Sequence, residues 1–502
     1  MLVSPPAAAG ADGRDAALRA LLDEAGAPQG RSPATTSHLL SRIHGLRSAA
    51  LSAEGMIERA AAVSGLETEA ALRQLFPFGR IDGAVSPYVV HPRAGAHLRA
   101  AAEADVAATV EQLDSETEQM RLDAARGVVP PRMLLDRTIA QVRTTRAAIA
   151  RPELAAALER QANALKALRE RARADGSVRR LRDGDAYYAL SLSAAGGMPV
   201  RPSEARRLGL AWTRDLQAQA DSLLQAQGLH RGGVAERLRA LAGDTRWLYR
   251  ADDAGKAGAL ADMNGWLDIA RARLPRAFHG ARDVAAEVRR IPPADEARGR
   301  GGERVDGAYY VDLREIRRRP RWTLRSVVHH ELLPGHLLQT GLARRPAHRA
   351  LARYAPGYSE GWATYAEQLA EELGLFEDDP LGRIGYLQWM LFRVGRLVVD
   401  TGIHVEGWSR ERAIAELREL QGDPVAFITL EEDVDRMFMQ PGAAAGQALA
   451  TAELLRMRRS ARAALGSRFD LAGFHQAVLA RGPLPFAGLR EALDLWASGR
   501  RG

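Results

Sequence analysis

The stretch VVHHELLPGHLLQ, residues 327–339, gathers three histidines, a glutamate and a glutamine into thirteen positions. A zinc-dependent hydrolase needs such residue types: neutral imidazoles on the metal, a carboxylate beside the water that the metal activates, and an open coordination position. His330 and His336 are the candidate ligands, and Glu331 is the candidate general base. The familiar arrangement spaces its two histidines four residues apart, about 40° round a helix, whereas a spacing of six puts them about 240° apart. A regular helix cannot make such a site. Pro334 and Gly335 give a reason for distortion, since proline removes a helical hydrogen bond and glycine tolerates unusual torsions. A kink or bulge in one helix running from about Arg321 to Leu342 would swing His336 back toward His330. The same Pro-Gly pair could instead end a helix and leave His336 as an ordinary residue of the next one.

Two further segments carry candidate chemistry. Tyr358-Ser359-Glu360-Gly361-Trp362 opens a helix, and Glu360 lies 24 residues after His336, a separation that suits a third ligand from the next helix. Glu360, Thr364, Glu367 and Glu371 share one face. A solvated acidic face is the plainer reading of them, though Glu360 sits between two large aromatics. A third helix, about Ile384 to His404, is apolar nearly all round and must be buried. Its one polar stripe is Arg393, Arg396, Asp400 and His404. Buried charges need partners or a task. Arg396 can pair with Asp400, and His404 is a candidate for hydrogen bonding an oxyanion or a substrate carbonyl.

The elements that must position these residues are mainly helical. Periodicity predicts helices over 95–127, 152–174, 203–227, 232–244 and 253–274, with a start marked by Pro130-Pro131. Residues 76–93 read as a loop. Val284–Ile291 and Gly307–Leu313 carry the alternation of short strands, with a loop-like stretch between them, and stand just before the motif helix. Three regions result: a flexible segment at 1–35 with a short helix near Arg14–Glu24, a helical lobe at 36–280, and a catalytic lobe at 281–502. The chain is expected to be all-α with one small sheet.

Composition narrows the function classes. Without cysteine there are no disulfides, thiolate zinc sites or cysteine nucleophiles, so a metal must rest on His, Asp and Glu. The net charge of +8 is almost all arginine, Lys166 and Lys256 being the only lysines, and it is scattered among acids. No basic run interleaved with aromatics occurs, which argues against nucleic acid. The positive balance favours a substrate bearing a carboxylate. The N-terminus has neither the basic nor the apolar region of a signal peptide, and no apolar run is long enough to span a membrane. A cytoplasmic location is expected.

HELLPGHLLQ, SEGWATYAEQL, RLVVDTGIHVEGW and FDLAGFHQAVLARGPLPFAGL together resemble signature stretches of the bacterial domain-of-unknown-function family 885. GVVPPRMLLDRTIAQV, ARRLGL and VRRIPP…GAYYVDL fit the same pattern, so the resemblance runs from about residue 36 to the end. It implies a large helical zincin-like metallopeptidase fold of two lobes around a cleft, of the thermolysin-like superfamily. It also implies Zn2+ on His330, His336 and Glu360, with Glu331 as base. The strand at Gly307–Leu313, with Tyr309, would be the edge that receives an extended substrate. Arg396 and Arg436 are candidates for holding the oxyanion or a substrate carboxylate, and His329, Gln339 and Asp400 for orienting the ligands. The chain departs from the family pattern at Leu337, Met437, Ala443, Gln447 and Ala448, which replace His, Tyr, Gln, Tyr and Lys. An intact metal core with an altered substrate shell suits a specialised hydrolase of a small peptide or an acylated amino acid. The alternatives are a biosynthetic zinc enzyme of another reaction class and a non-catalytic helical binding protein.

Overall fold

A computed structural model describes residues 11–26, 32–82, 84–93, 105–281, 283–296, 302–422 and 428–500. Its organising element is the helix Pro380–Glu406. Between Ile384 and His404 every residue is buried except Trp389 and Arg396, which are half-buried, as an all-round apolar helix requires. Asp379 caps its start, accepting from the Gly382 N–H at 2.7 Å, and Gly407, at φ 74°, ends it in the left-handed region. Helices Pro202–Ala226, Arg321–Glu331, Arg410–Gln421 and Ala443–Leu465 surround it. The approach of Arg321–Glu331 is backbone to backbone. A Cβ on Gly385 would lie 2.1 Å from the Trp322 carbonyl oxygen, so glycine is what lets the motif helix lie there.

The expected motif helix is in fact two. Arg321–Glu331 stops, the chain turns through Leu332–Gly335 with a cis Leu333–Pro334 bond, and a new helix runs from His336 to Leu342. This is a break rather than the kink or bulge expected of one continuous helix. The sheet before it has three strands. Glu287–Arg290 pairs in parallel with Ala308–Val311, and Glu303–Val305 pairs antiparallel with the same strand, Arg304 opposite Tyr309. Ala308–Val311 is therefore the central strand, which corrects the expectation that it is the edge. The physical reason lies in its side chains, since Ala308, Tyr309 and Val311 are buried whereas Glu303, Arg304 and Val305 are exposed. Residues 297–301 of the predicted loop between the two expected strands lie outside the described residues.

Elsewhere the predicted helices lie close to those observed, Val106–Ala125, Pro152–Arg169, Pro202–Ala226, Val234–Ala242 and Asp253–Arg273, with residues 95–104 of the first prediction outside the described residues. The stretch read as a loop at 76–93 holds a short hairpin, Arg80–Asp82 with Ala84–Ser86. In the N-terminal segment, residues 1–10 and 27–31 lie outside the described residues. Ala11–Gly26 is a helix that buries Leu18 and Leu22 completely, with Asp15 accepting from the Ser52 N–H at 3.1 Å. The principal core draws on both sides of residue 280, with Leu224, Leu267, Val328 and Leu397 among its members. A smaller core, including Leu113, Val142, Leu158 and Leu165, holds Val106–Ala125, Arg132–Ala147 and Pro152–Arg169 together. No helix among the described residues is long and apolar enough to cross a membrane.

Candidate metal centre

The break after Glu331 makes the site. It is held by hydrogen bonds to its own carbonyls: His329 Nδ1 donates to Leu333 O at 3.1 Å and Trp362 Nε1 to Pro334 O at 3.1 Å. The Leu338 and Gln339 N–H groups donate to Leu332 O and Gly335 O. A Cβ on Gly335 would stand 1.8 Å from His330 O, so no other residue fits this turn without moving the backbone. The turn cancels the angular mismatch of a six-residue spacing, and the His330 and His336 rings come within 5.0 Å, nearly perpendicular.

Glu360, in the first turn of Tyr358–Glu372, meets them. Its Oε2 lies 3.3 Å from His330 Nε2 and its Oε1 3.4 Å from His336 Nε2. Two ligand atoms each about 2.05 Å from a tetrahedral zinc stand about 3.3 Å apart, so the spacing of each imidazole nitrogen from the carboxylate fits such an ion. His336 Nε2 is buried and has no hydrogen-bond partner of good geometry, its one polar neighbour being Glu360 Oε1, so its lone pair fits a cation. His330, His336 and Glu360 are the one group of potential ligands that converges among the described residues. Both histidines are buried and the Glu360 side chain is about half exposed, so the centre opens on one side.

Behind His330 stands Glu367, fully buried. His330 Nδ1 donates to Glu367 Oε1 at 2.7 Å, which fixes the tautomer that leaves Nε2 free for a metal. Arg393 also lies 3.0 Å from Nδ1, but neither group can accept, so its hydrogens serve Glu367, at 2.9 Å. Ser326 Oγ gives Glu367 a further hydrogen bond. Burial alone would raise the Glu367 pKa, but Arg393, His330 and Ser326 overturn that and hold it low. Burial and Arg393 both oppose a charge on His330, yet Glu360 and Glu367 outweigh them and raise it to about 9. Glu360 itself is held well below the usual range, the two histidines overcoming its desolvation. The pocket is built to hold positive charge between its two carboxylates.

The other candidates are distributed unevenly. Gln339 Nε2 donates to Ser359 Oγ at 3.1 Å, tying the second motif helix to the residue before Glu360. Glu331, at the end of the first motif helix, ion-pairs with Arg304 of the edge strand. Arg396 and Arg436 line the same cleft as Glu360. Arg396 pairs with Asp433 at 2.8 Å and not with Asp400, as the helical spacing had suggested. Asp400 is far inside, accepting from Tyr188 Oη at 2.6 Å and from the Gly442 N–H. It braces the core rather than a ligand. His404 is a correction: its Nε2 donates to Met437 O at 3.0 Å and its Nδ1 accepts from the Val178 N–H at 3.3 Å. With both nitrogens taken and no exposure, it cannot serve an oxyanion, and burial lowers it to about 4. Tyr309 is a second correction. It is buried in the central strand beneath Gly302, where a Cβ would lie 2.4 Å from its hydroxyl, so it does not stand on a free edge as expected.

Sequence reasoning missed two residues. Glu367 was grouped with an acidic face, and its signal was position: seven residues after Glu360 it faces the same way, but toward protein instead of water. Gln447 was read as a lost tyrosine. Its Nε2 donates to Glu360 Oε2 at 3.2 Å and to Thr364 Oγ1 at 2.9 Å, so the position still carries a donor to the Glu360 carboxylate.

A family model described as "Bacterial protein of unknown function (DUF885)" matches residues 5–493. Among solved structures, the chain is similar to a "putative lipoprotein" from Colwellia psychrerythraea. That match has 26% identity and a TM-score of 0.79, and covers 97% of each chain. It is also similar to a protein of the same description, of unknown function, from Shewanella oneidensis. Here the identity is 16% and the TM-score 0.69, over 97% of this chain and 100% of that one, a likeness of fold. No curated protein matches the chain.

Proposed function

The chain belongs to the bacterial DUF885 family, and from that premise we propose that it is a zinc-dependent hydrolase that cleaves an amide bond in a small peptide or acylated amino acid. The observation that carries this reading is the spacing of His330 Nε2, His336 Nε2 and the two Glu360 oxygens, with the far nitrogen of His330 fixed by Glu367. Two imidazoles and one carboxylate are the ligand set of a hydrolytic zinc with a position left for water or substrate. A zinc ion held there would lower the pKa of a bound water and polarise a carbonyl.

In the overall reaction a water oxygen joins the acyl carbon, the C–N bond breaks, and a proton reaches the leaving nitrogen. Glu331 is the residue assigned to carry that proton. Its carboxylate is placed by Arg304, which reaches it from the exposed edge strand. Gln447 and Glu367 keep the ligands from rotating when substrate arrives. One observation favours the alternative of another reaction class on the same centre: one oxygen of the Glu331 carboxylate is already engaged by Arg304.

The test is metal content together with turnover. Native protein is expected to hold near-stoichiometric zinc, His336→Ala to lose it, and Glu331→Gln to keep it while hydrolysis of a dipeptide panel disappears. Full activity in Glu331→Gln would remove the base assignment. Bound zinc with no cleavage across peptides and acylated amino acids would favour the other reaction class. A native protein unable to take up zinc at neutral pH would leave only the binding-protein reading.

A further inference from the structure

The cleft that Glu360 opens into has a volume of about 300 Å3, at the small end for ligand sites. Arg396, Arg436 and Gln447 line it beside Glu360, and its remaining walls are largely small residues such as Ala194, Gly357 and Ala443. Its charges do not balance. Asp433 binds Arg396 through one oxygen, and its other oxygen is buried without a partner. The neighbouring acid, Asp435, is already engaged by Arg137 and Arg410. The Arg436 side chain makes no hydrogen bond or ion pair with any described residue, and Arg396 Nε is buried without a partner. Partial desolvation, Arg396 and Arg93 all press against the charge of Arg436, with Asp433 alone supporting it. An arginine does not shed its proton under these conditions. Among the described residues, and with Glu360 taken by the two histidines, two guanidinium groups with donors to spare therefore share the single negative charge of Asp433.

Position separates this group from the metal ligands. The polar partners of Glu360 are His330, His336 and Gln447, and neither arginine ion-pairs with it. The Arg396 guanidinium carbon lies over the Phe392 ring, 5.2 Å from its centroid. Planar guanidinium groups are matched to a carboxylate's two oxygens.

We propose that Arg396 and Arg436 bind a free carboxylate of the substrate, so that the cleft takes N-acyl amino acids or short peptides by their C-terminal end. Which bond is then cut rests on the hydrolase reading above; the carboxylate site does not. The experiment measures calorimetric binding of a set of N-acetyl amino acids, each as the free acid and as the C-terminal amide. It uses zinc-loaded protein and protein stripped of metal and dialysed. At least one acid is expected to bind on the order of tenfold or more tightly than its amide, in both preparations. Arg436→Gln, a change at an exposed side chain, is expected to erase that preference while leaving the melting temperature and zinc content unchanged. Acids and amides that bind alike, no binding by any acid, or a preference that survives in both Arg436→Gln and Arg396→Gln would overturn it. So would inorganic phosphate occupying the site where no acid does. An acid preference in a protein that never takes up zinc would sink the hydrolase reading and leave this site standing.

Discussion

His330 shows how much of a candidate ligand's behaviour is set by what stands behind it. Glu367 decides its tautomer, and Arg393 and Ser326 keep Glu367 ionised in a place where burial would neutralise it. Glu367→Gln keeps the shape and removes the charge, so zinc affinity in a competition titration is expected to fall roughly 10–100-fold. An unchanged affinity would show that Glu367 only fills space. Asp400 makes a different point, because it is a buried carboxyl raised to about 7 by desolvation, against the pull of Tyr188 and the Gly442 N–H. An unfolded aspartate has a pKa of about 3.9, so between there and 7 the native state holds a proton that the unfolded chain has lost. The stability this contributes is complete below that range and is lost as pH rises through 7. Asp400→Asn cannot ionise. The difference in melting temperature, variant minus native, is therefore expected to shift in the variant's favour from pH 5 to pH 8. A difference that stays constant with pH would contradict it.

At the level of elements, the decisive feature is a helix that stops. Glu331 ends one helix and His336 starts the next, and the four residues between are clamped by His329, Trp362 and the backbone of the second helix. Gly335→Ala would force a methyl group against His330 O, and zinc occupancy is expected to drop well below one per chain. Gly265→Ala is the control, since a Cβ there meets nothing within 4 Å in the middle of Asp253–Arg273. It should be neutral or stabilise by about 0.5–1 kcal/mol. Equal zinc content in the two variants would mean that the turn tolerates displacement and that its shape does not place His336. The sheet contributes at the same scale. A short, charged, exposed edge strand resists pairing with other chains and still delivers Arg304 to Glu331.

For the whole molecule, the site lies where several helices meet: His330 and His336 come from the two motif helices, Glu360 from the next, Arg396 from the central helix and Gln447 from Ala443–Leu465. A metal joining ligands from separate helices binds the folded state alone and stabilises it by mass action, by about 2.7 kcal/mol at a hundredfold excess over Kd. Removal of zinc by a chelator is thus expected to lower the melting temperature, and restored zinc to recover it. Identical melting curves with and without chelator would count against a metal joining these helices.

Residue types and local spacing already determined much of this. The HELLPGH and EGW stretches singled out three residues that the fold brings together, the all-round apolar run from about Ile384 marked a buried helix, and Pro334-Gly335 located the distortion, because each is written in consecutive residues. Tertiary structure decided the rest. Whether a polar stripe on a buried helix does chemistry depends on what packs against it: Arg396 looks into a cleft, while one and two turns away Asp400 and His404 are consumed by Tyr188, Gly442, Val178 and Met437, residues up to 226 positions distant. The middle place of Ala308–Val311 in the sheet and the turn of Glu367 toward His330 are likewise contacts between segments remote in sequence. Periodicity says which side of an element is polar, and only packing says whether that side meets water, a metal or a carbonyl group.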